Sequence, residues 1–370
     1  MGTFQVGLLL IGTFALLLAL SVPVSVSIII SSVVTMASTL SLDLGTFVAS
    51  QRMVGGVDSF SLLAVPFYIL CGVLMNTGGI AQKLIDFAKI LVGRIPGGLA
   101  HTNILGNTLF GSLSGSSVAA SVAIGGILII YPVLAGCSVV GMIMSGYIPG
   151  LMWALACMVV AYVIAKKNHY PTAGKVPASV FFKYFVDAIP SLLLIVIIVG
   201  GVMSGIFTAT ESAAVAVAYT LFLSIVVYRS IKIKDLPKIL LDACETTAII
   251  MFLIAGSNVM SFVMSFTGLP SAIGNALISV SSNKYVILLI INLVLLVVGC
   301  FMDITPAVLI FTPIFLPVVQ SFGMDPIHFG IMMVMNLGIG NITPPVGSSL
   351  FSGCSVADMD MEDMIKPILP

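Results

Sequence analysis

The chain has 370 residues, of which 59% are hydrophobic and 8% are charged, and its formal net charge at pH 7 is zero. Soluble domains carry about 25% charged residues, so these charges are too few to cover a water-facing surface. The composition excludes a soluble domain, and the sequence has no basic run that would suggest binding to nucleic acid.

Apolar stretches close to the length that crosses a bilayer, about 20 residues, recur along the chain. They predict an all-α polytopic membrane protein with helices in residues 6–37, 62–74, 133–165, 192–206, 213–228, 248–266 and 286–301. The first 37 residues contain no Lys or Arg, so we expect one or two retained helices there rather than a cleaved signal peptide. Six cysteines without a C-x-x-C pair and three scattered histidines do not favour a zinc or redox site.

Lysine and arginine residues gather in three groups, which the positive-inside rule places in the cytoplasm. Two apolar stretches separate the second group from the third, and an even number of crossings agrees with two cytoplasmic flanks. Residues 166–183 form a polar linker between the halves, and residues 231–245 resemble an amphipathic helix at the cytoplasmic surface. The groups are Lys83, Lys89 and Arg94; Lys166, Lys167, Lys175 and Lys183; and Arg229, Lys232, Lys234 and Lys238.

An internal repeat is visible within what we expect to be a single transport domain over 1–370. In each copy an apolar helix ends in Thr-Gly and a shorter apolar segment follows, so that Thr77 corresponds to Thr267. The repeat predicts a first copy in 60–165 and a second in 246–370, with 166–245 supplying the linker, two helices and the amphipathic segment. The short segment is basic in the first copy and uncharged in the second, which indicates that the copies are inverted.

Three segments interrupt the apolar pattern where a helix would otherwise continue. Three prolines in 302–317 predict a re-entrant helical hairpin, and the small residues of 111–121 resemble the equivalent tip in the first copy, although such residues also suit close helix packing. Pro344 and Pro345 then break an apolar helix, because proline has no N–H and restricts the preceding residue. Carbonyl groups turned into a cavity suit a monovalent cation such as sodium, and the start of the next half-helix suits an anionic substrate.

Two acidic residues lie among apolar ones. Asp303 is consistent either with an ion ligand at the base of the hairpin or with a cap for the following helix. For Glu211 we favour a structural role, since Thr208 or Thr210 precedes an alanine-rich run and Glu211 falls in its first turn.

Several segments together resemble one family. "LLAVPFYILCGVLMNTGGI", "GSLSGSSVAASVA", "GIFTATESAAVAVAY", "MDITPAVLIFTPIFLP" and "DPIHFGIMMVMNLGIGNITPPVG" are similar, in order, to the large membrane subunit of tripartite ATP-independent periplasmic (TRAP) transporters. The resemblance implies a sodium-driven symporter of carboxylate solutes with an elevator-type fold and two hairpins. It also implies a small four-helix membrane subunit and a periplasmic solute-binding protein as partners.

The resemblance also implies a region that binds sodium and substrate. The matching positions come from the first hairpin, the second hairpin and the proline break. They are Ser114, Gly115, Ser116 and Ser117; Asp303 and Thr305; and Gly338, Gly340, Asn341, Thr343 and Pro344.

The sequence departs from that family pattern in two places. The first copy has no Pro-Pro break, and the two "GCSV" segments lie 217 residues apart whereas Gly111 and Gly299 lie 188 apart. The first copy is therefore about 29 residues short, between 123 and 136, and we expect weak or absent transport if its ion site is incomplete. The chain also stops where the second copy should enter its final helix.

The sequence thus predicts a secondary transporter subunit of the bacterial inner membrane, with no covalent chemistry. Two other functions stay open. An ion channel would need a continuous polar pore, and a non-transporting or internally deleted membrane partner is consistent with the shortened first copy.

Overall fold

The computed structural model describes residues 2–111, 130–170, 172, 177–281, 283–344, 347 and 349–350. Within these ranges the secondary structure is helical and no strand is formed. The helices are α1 (Thr3–Ala19), α2 (Val24–Thr39), α3 (Leu42–Val57), α4 (Ala64–Thr77), α5 (Ile80–Val92), α6 (Gly98–Gly111), α7 (Val139–Lys167), α8 (Ala178–Ile195), α9 (Ala209–Phe222), α10 (Leu236–Thr267), α11 (Leu269–Val280), α12 (Lys284–Phe301), α13 (Ile304–Ser321) and α14 (Pro326–Asn341).

Shorter helical pieces extend some of these elements. A 3-10 turn at Phe60–Leu63 leads into α4, and another at Ile233–Asp235 leads into α10. Helix α8 continues through the π-helical Val196–Gly200 to Met203, and α9 continues through the π-helical Leu223–Val227.

Seven of the described helices are long and apolar enough to cross a membrane. The finding confirms the predicted all-α polytopic class. The spans are Phe60–Thr77, Val139–Lys167, Ser179–Met203, Ala209–Val227, Ile233–Thr267, Lys284–Phe301 and Ile304–Ser321.

The described residues divide into two compact units, each drawn from separate parts of the chain. Unit one takes its residues from Met1–Leu62, Ile130–Ser138 and Thr246–Leu369, and unit two from Leu63–Ile129 and Val139–Glu245. These boundaries cut across the predicted repeat at 60–165, while one of them coincides with the start of the repeat at 246–370. Both repeats remain a prediction from the sequence.

Unit one is held together by contacts between residues far apart in the chain. Asn258 on α10 donates a hydrogen bond to the carbonyl of Gly56 on α3, at 3.3 Å. The Tyr131 side chain is fully buried against Gly330 on α14, and its hydroxyl donates to the Pro326 carbonyl at 2.5 Å. A side chain larger than hydrogen at 330 would collide with the Tyr131 ring, so this glycine is needed for the close approach.

Unit two has a core made mainly by α4, α5, α8 and α9. Cys71 on α4 and Thr220 on α9 lie 3.4 Å apart at the centre of this buried apolar cluster. Helices α5 and α8 are joined by the Phe87 and Phe185 rings and by a Lys83–Asp187 ion pair of 3.7 Å. The unit thus combines an apolar core with a half-exposed charged contact.

The apolar stretch 6–37 forms two helices, and other local predictions are also met. The chain leaves α1 at Ser21, which has a left-handed backbone with φ of 59°, and α2 begins at Val24. The predicted cap is confirmed, because Thr208 Oγ1 accepts from the Glu211 N–H at 3.3 Å and Glu211 accepts from the Thr208 N–H at 2.8 Å.

The structure changes the bounds of two predicted elements and contradicts a third. Residues 231–245 do not form a separate amphipathic helix, because α10 runs without a break for 32 residues from Leu236 into the apolar span. Residues 133–165 are divided at Gly136, where φ is 63°, and α7 begins after this break at Val139. Residues 302–317 contain no hairpin turn, because 304–321 form the single helix α13 with two prolines inside it.

Candidate functional site

The C-terminal ends of α12 and α14 meet at two glycines in unit one. A Cβ atom on Gly299 would lie 2.9 Å from the Leu337 carbonyl oxygen, and one on Gly340 would lie 2.7 Å from the Leu296 carbonyl oxygen. Each distance is shorter than a real Cβ contact, so no larger residue fits at either position without movement. The two helix backbones therefore touch directly at this crossing.

Two asparagines join the same helices further from the ends. The Asn336 amide donates to the Asn292 backbone carbonyl and to its side-chain oxygen, each at 2.7 Å. Asn292 contacts Asn336, and later in both helices Gly299 contacts Gly340. Helices α12 and α14 therefore run in the same direction. Helix α13 connects the end of one to the start of the other, so it runs opposite to both.

The reversal between α12 and α13 lies at Met302 and Asp303. Both residues have extended backbones, and the Asp303 carboxylate accepts from the Ile304 N–H at 2.9 Å as the cap of α13. Thr305 is buried in the first turn of α13. The chain therefore reverses direction between α12 and α13, at residues 302 and 303, and not within 302–317 as predicted.

The chain after α14 is bent back onto the end of α12. In a continuing helix the Gly340 carbonyl would accept a hydrogen bond from the N–H of residue 344, but residue 344 is a proline and has no N–H. The Gly340 carbonyl accepts from the Thr343 N–H instead, at 2.9 Å. The Thr343 hydroxyl donates to the Ile339 carbonyl at 2.6 Å. The Gly347 N–H donates to the Cys300 carbonyl at 2.9 Å and closes the loop.

Several oxygen atoms converge around this loop. A Cβ atom on Gly347, where φ is 50°, would lie 3.0 Å from the Asn341 carbonyl oxygen and 3.1 Å from that of Thr343. The Asn341 side chain is 1% exposed and its amide donates to Ser349 Oγ at 2.9 Å. We name the residues Gly299, Asp303, Thr305, Gly340, Asn341, Thr343 and Gly347 the crossing site.

The chemistry of the crossing site favours a cation. Two helices end there, and the C-terminal end of a helix carries a partial negative charge from its last carbonyl groups. Asp303 adds one carboxylate at the start of α13, while the other oxygens belong to amides and hydroxyls. Neutral oxygens with a single acid suit a weakly held monovalent ion better than a divalent one.

The structure describes the predicted residues of the second copy, and their role in binding stays a prediction. Gly338, Gly340 and Asn341 lie in the last turn of α14, followed by Thr343 and Pro344. The predicted Ser114, Gly115, Ser116 and Ser117 lie outside the described residues.

Sequence reasoning missed three residues that hold the crossing together, Gly299, Asn292 and Asn336. Asparagine inside an apolar helix was the available signal, since polar side chains there commonly hydrogen-bond to a neighbouring helix. Gly299 carried no such signal, because its role depends on which residue of the neighbouring helix packs against it.

The family model for the DctM component of tripartite ATP-independent periplasmic transporters matches residues 11–131 and 126–370. The chain belongs to this family. The two matched stretches meet at residues 126–131, inside the interval 123–136 where the sequence predicts the shortening. As a DctM component, the protein is a transport permease of the inner membrane and not an enzyme.

Relatives match over most of their length. The chain is 46% identical to the uncharacterized protein YgiK of Salmonella typhimurium, over 98% of this chain and 91% of that protein. It is 37% identical to the sialic acid TRAP transporter large permease protein SiaM of Vibrio cholerae, over 96% and 90% of the two chains. It is also 37% identical to the C4-dicarboxylate TRAP transporter large permease protein DctM of Pseudomonas aeruginosa, over 85% and 81%.

Proposed function

We propose that the protein is the large permease of a tripartite system that imports a carboxylate-bearing solute together with sodium ions. The observation that carries the proposal is the convergence of the α12 and α14 ends, where the Gly347 N–H beyond the Pro344 break donates to the Cys300 carbonyl, three residues before Asp303. Family membership supports the class of transporter, and the chemistry of the crossing site supports a cation as the coupling ion.

Sodium is the ion that this site favours on chemical grounds. Discontinuous transporter helices coordinate sodium through unwound backbone carbonyls and half-helix C-terminal ends. Here the break follows Asn341, and the carbonyl oxygens of Asn341 and Thr343 lie near the bare Cα of Gly347. Asp303 would offset part of the ion's charge while still capping α13.

The same region also suits an anionic solute, because the N-terminal end of a helix lies there. Helix α13 begins at Ile304, directly after the turn, and a helix N-terminus attracts negative charge. Named relatives support this class, because their names specify sialic acid, C4-dicarboxylate and 2,3-diketo-L-gulonate. We therefore propose that a carboxylate group of the solute approaches the crossing site from the start of α13.

Two partners complete the proposed system, a small four-helix membrane subunit and a periplasmic solute-binding protein. The chain matches only 62% of the isethionate TRAP transporter permease protein DctMQ of Oleidesulfovibrio alaskensis. The additional length of that relative supports a separate small subunit for this chain. In our proposal the α12–α13 hairpin moves with the ion and solute in an elevator-type cycle.

A sodium-binding measurement tests the site without requiring transport. The full chain should melt at a higher temperature in sodium than in an equal concentration of choline, because the ion binds only the folded state. Asp303→Asn should abolish this difference while keeping the α13 cap, since asparagine caps as well as aspartate. The matched control is Glu211→Gln, which removes a capping carboxylate in unit two and should leave the sodium effect unchanged.

An uptake measurement tests the function. The chain is placed in proteoliposomes with its small subunit and binding protein, and labelled C4-dicarboxylate or sialic acid is supplied with an inward sodium gradient. Accumulation that needs both the gradient and the binding protein supports the proposal. Equal uptake without a sodium gradient would disprove the coupling, and equal uptake without the binding protein would disprove the tripartite system.

A second candidate function is a permease that assembles but does not transport. It is favoured by the alignment with the Salmonella relative, which extends over 398 positions although this chain has 370 residues. A sodium-dependent rise in melting temperature with no uptake would support this candidate. Uptake restored by inserting the corresponding segment of that relative between 123 and 136 would assign the loss to the shortened first copy.

A further inference from the structure

The turn between α5 and α6 packs tightly against the end of α7 in unit two. Gly97 has a φ of 78°, and a Cβ atom there would lie 2.7 Å from the Ala165 Cβ and 3.4 Å from the Ala161 carbonyl oxygen. Only glycine combines this backbone conformation with so short an approach. The residues that flank Gly97 are therefore held next to those that follow Ala165.

Four cationic residues lie within eight chain positions of Gly97 or Ala165, and all four side chains are exposed. Arg94 precedes Gly97 by three residues, Lys89 lies in the last turn of α5, and Lys166 and Lys167 end α7. In the part of the chain that the structure describes, Lys89, Lys166 and Lys167 form no ion pair. Lys83 differs from them, because its charge is paired with Asp187 on α8.

Exposed apolar side chains lie close to these cations in the chain. Leu91 is 44% exposed, Leu99 is 77% exposed and Val163 is 56% exposed. The Lys166 ammonium lies 5.8 Å from the centroid of the exposed Tyr162 ring. Tyrosine is enriched at the boundary of the bilayer and long lysines extend toward the headgroups, so this level is where a phospholipid changes from tail to headgroup.

We propose that Lys89, Arg94, Lys166 and Lys167, arranged around Gly97, bind the headgroup phosphate of an anionic phospholipid in the cytoplasmic leaflet. Basic clusters beside membrane helices attract anionic lipids. The acyl chains lie along the apolar side of α7 near Val163 while the phosphate contacts the lysines. A soluble acidic partner would satisfy the charges but would leave the adjoining apolar side chains uncovered.

The simpler explanation is that these cations only fix the orientation of the helices. That role needs positive charge on the cytoplasmic side but no particular lipid. The two explanations differ in whether an anionic headgroup binds more tightly than a zwitterionic one.

The test uses the purified full chain in a neutral detergent with short-chain phosphatidylglycerol or phosphatidylcholine as probe. Lipid binding is followed by native mass spectrometry and by the rise in melting temperature. Lys89→Gln combined with Lys166→Gln and Lys167→Gln should weaken phosphatidylglycerol binding about 100-fold, since each cation near an anionic surface contributes about fivefold. The matched control combines Lys232→Gln, Lys234→Gln and Lys238→Gln, which remove the same charge elsewhere and should leave the affinity unchanged.

Several results would overturn the proposal. They are equal binding of phosphatidylcholine, an equal loss of affinity in the control variant, and binding of glycerol phosphate as tight as that of the lipid, which would indicate a free-anion site. If the triple variant does not fold, Lys167→Gln alone decides the question. This single change should weaken binding about fivefold, and an unchanged affinity would refute the site.

Discussion

The corner between α4 and α5 and the corner between α10 and α11 have nearly the same construction. In each, the first helix ends in a threonine whose hydroxyl donates to the carbonyl four residues earlier, at 2.9 Å for Thr77 and 2.8 Å for Thr267. A left-handed glycine follows, with φ of 75° at Gly79 and 69° at Gly268, and a shorter helix begins at the next residue. The local sequence is sufficient to repeat this corner.

The surroundings of the two corners differ. At the first, Gly78 is pressed against Ser224, and the Ser230 hydroxyl donates to the Gly78 carbonyl at 2.6 Å. The second corner has no counterpart of Gly78, because the left-handed Gly268 follows Thr267 directly. Helix α5 carries lysines, whereas α11 has no charged residue. Backbone geometry is therefore shared, while packing and charge are set by the elements around each corner.

The largest expected effect concerns the side of the membrane on which each of the two short helices, α5 and α11, lies. If the repeats are inverted, Ser279→Cys on α11 and Lys89→Cys on α5 face opposite compartments. Both changes are made with Cys244→Ser, and an impermeant maleimide is applied to spheroplasts. We expect Ser279→Cys to be labelled and Lys89→Cys to be protected, with the reverse in inverted vesicles. Labelling of both from one side would refute the inversion.

The next effect separates packing from backbone strain at the first corner. Gly78→Ala keeps an ordinary backbone, but its Cβ would collide with Ser224 and lie 2.5 Å from the Leu74 carbonyl oxygen. We expect a loss of about 2 kcal/mol in the free energy of unfolding, which is typical of overpacking, measured as a lower melting temperature in detergent.

Ser224→Ala provides the control for that loss. The Ser224 hydroxyl is buried and has no hydrogen-bond partner among the described residues, so its removal alone should be close to neutral. Combined with Gly78→Ala, it should recover part of the lost stability. A double variant as unstable as Gly78→Ala alone would show that Ser224 is not the obstacle.

A smaller and equal effect is expected at the two left-handed glycines. Neither Gly79 nor Gly268 has an atom within 4 Å of a Cβ position, so alanine there is penalised only through its backbone. Each change to alanine should cost about 1 kcal/mol, and changes to asparagine should cost less. Unequal melting temperatures for Gly79→Ala and Gly268→Ala would show that the corners are not equivalent.

The smallest effect concerns the charge that distinguishes α5. The Lys83–Asp187 pair has side chains that are 34% and 40% exposed, so solvent screens it. Lys83→Gln should lower the free energy of unfolding by about 0.5 kcal/mol or less. The difference from wild type should shrink in high salt, and a difference that persists there would point to packing rather than charge.

Local features could be predicted from the sequence because each depends on neighbouring residues. The Glu211 cap and the Thr-Gly corners need only a few positions in order, and both are found in the structure. Gly340, Asn341 and Thr343 were identified through the resemblance to the TRAP family, at the break made by the prolines that follow them. Their position beside Gly347 and the end of α12 then follows from the bend that these prolines impose.

The position of the hairpin could not be predicted in this way. Pro313 and Pro317 suggested a turn, but α13 passes through both, and 72% of its span is buried within the protein. Proline is tolerated in a membrane helix where neighbouring helices cover the freed backbone groups. Whether such neighbours exist is decided by the packing of α13 against other helices, which the proline pattern does not contain.

The hydrogen bond between Gly56 and Asn258 has a consequence for the timing of biosynthesis. Its two residues are 202 positions apart, so at 5–20 residues per second the ribosome needs about 10–40 s to deliver the second after the first. During that interval α3 lacks its α10 partner. The N-terminal helices of unit one therefore cannot complete their packing until most of the chain has been synthesised.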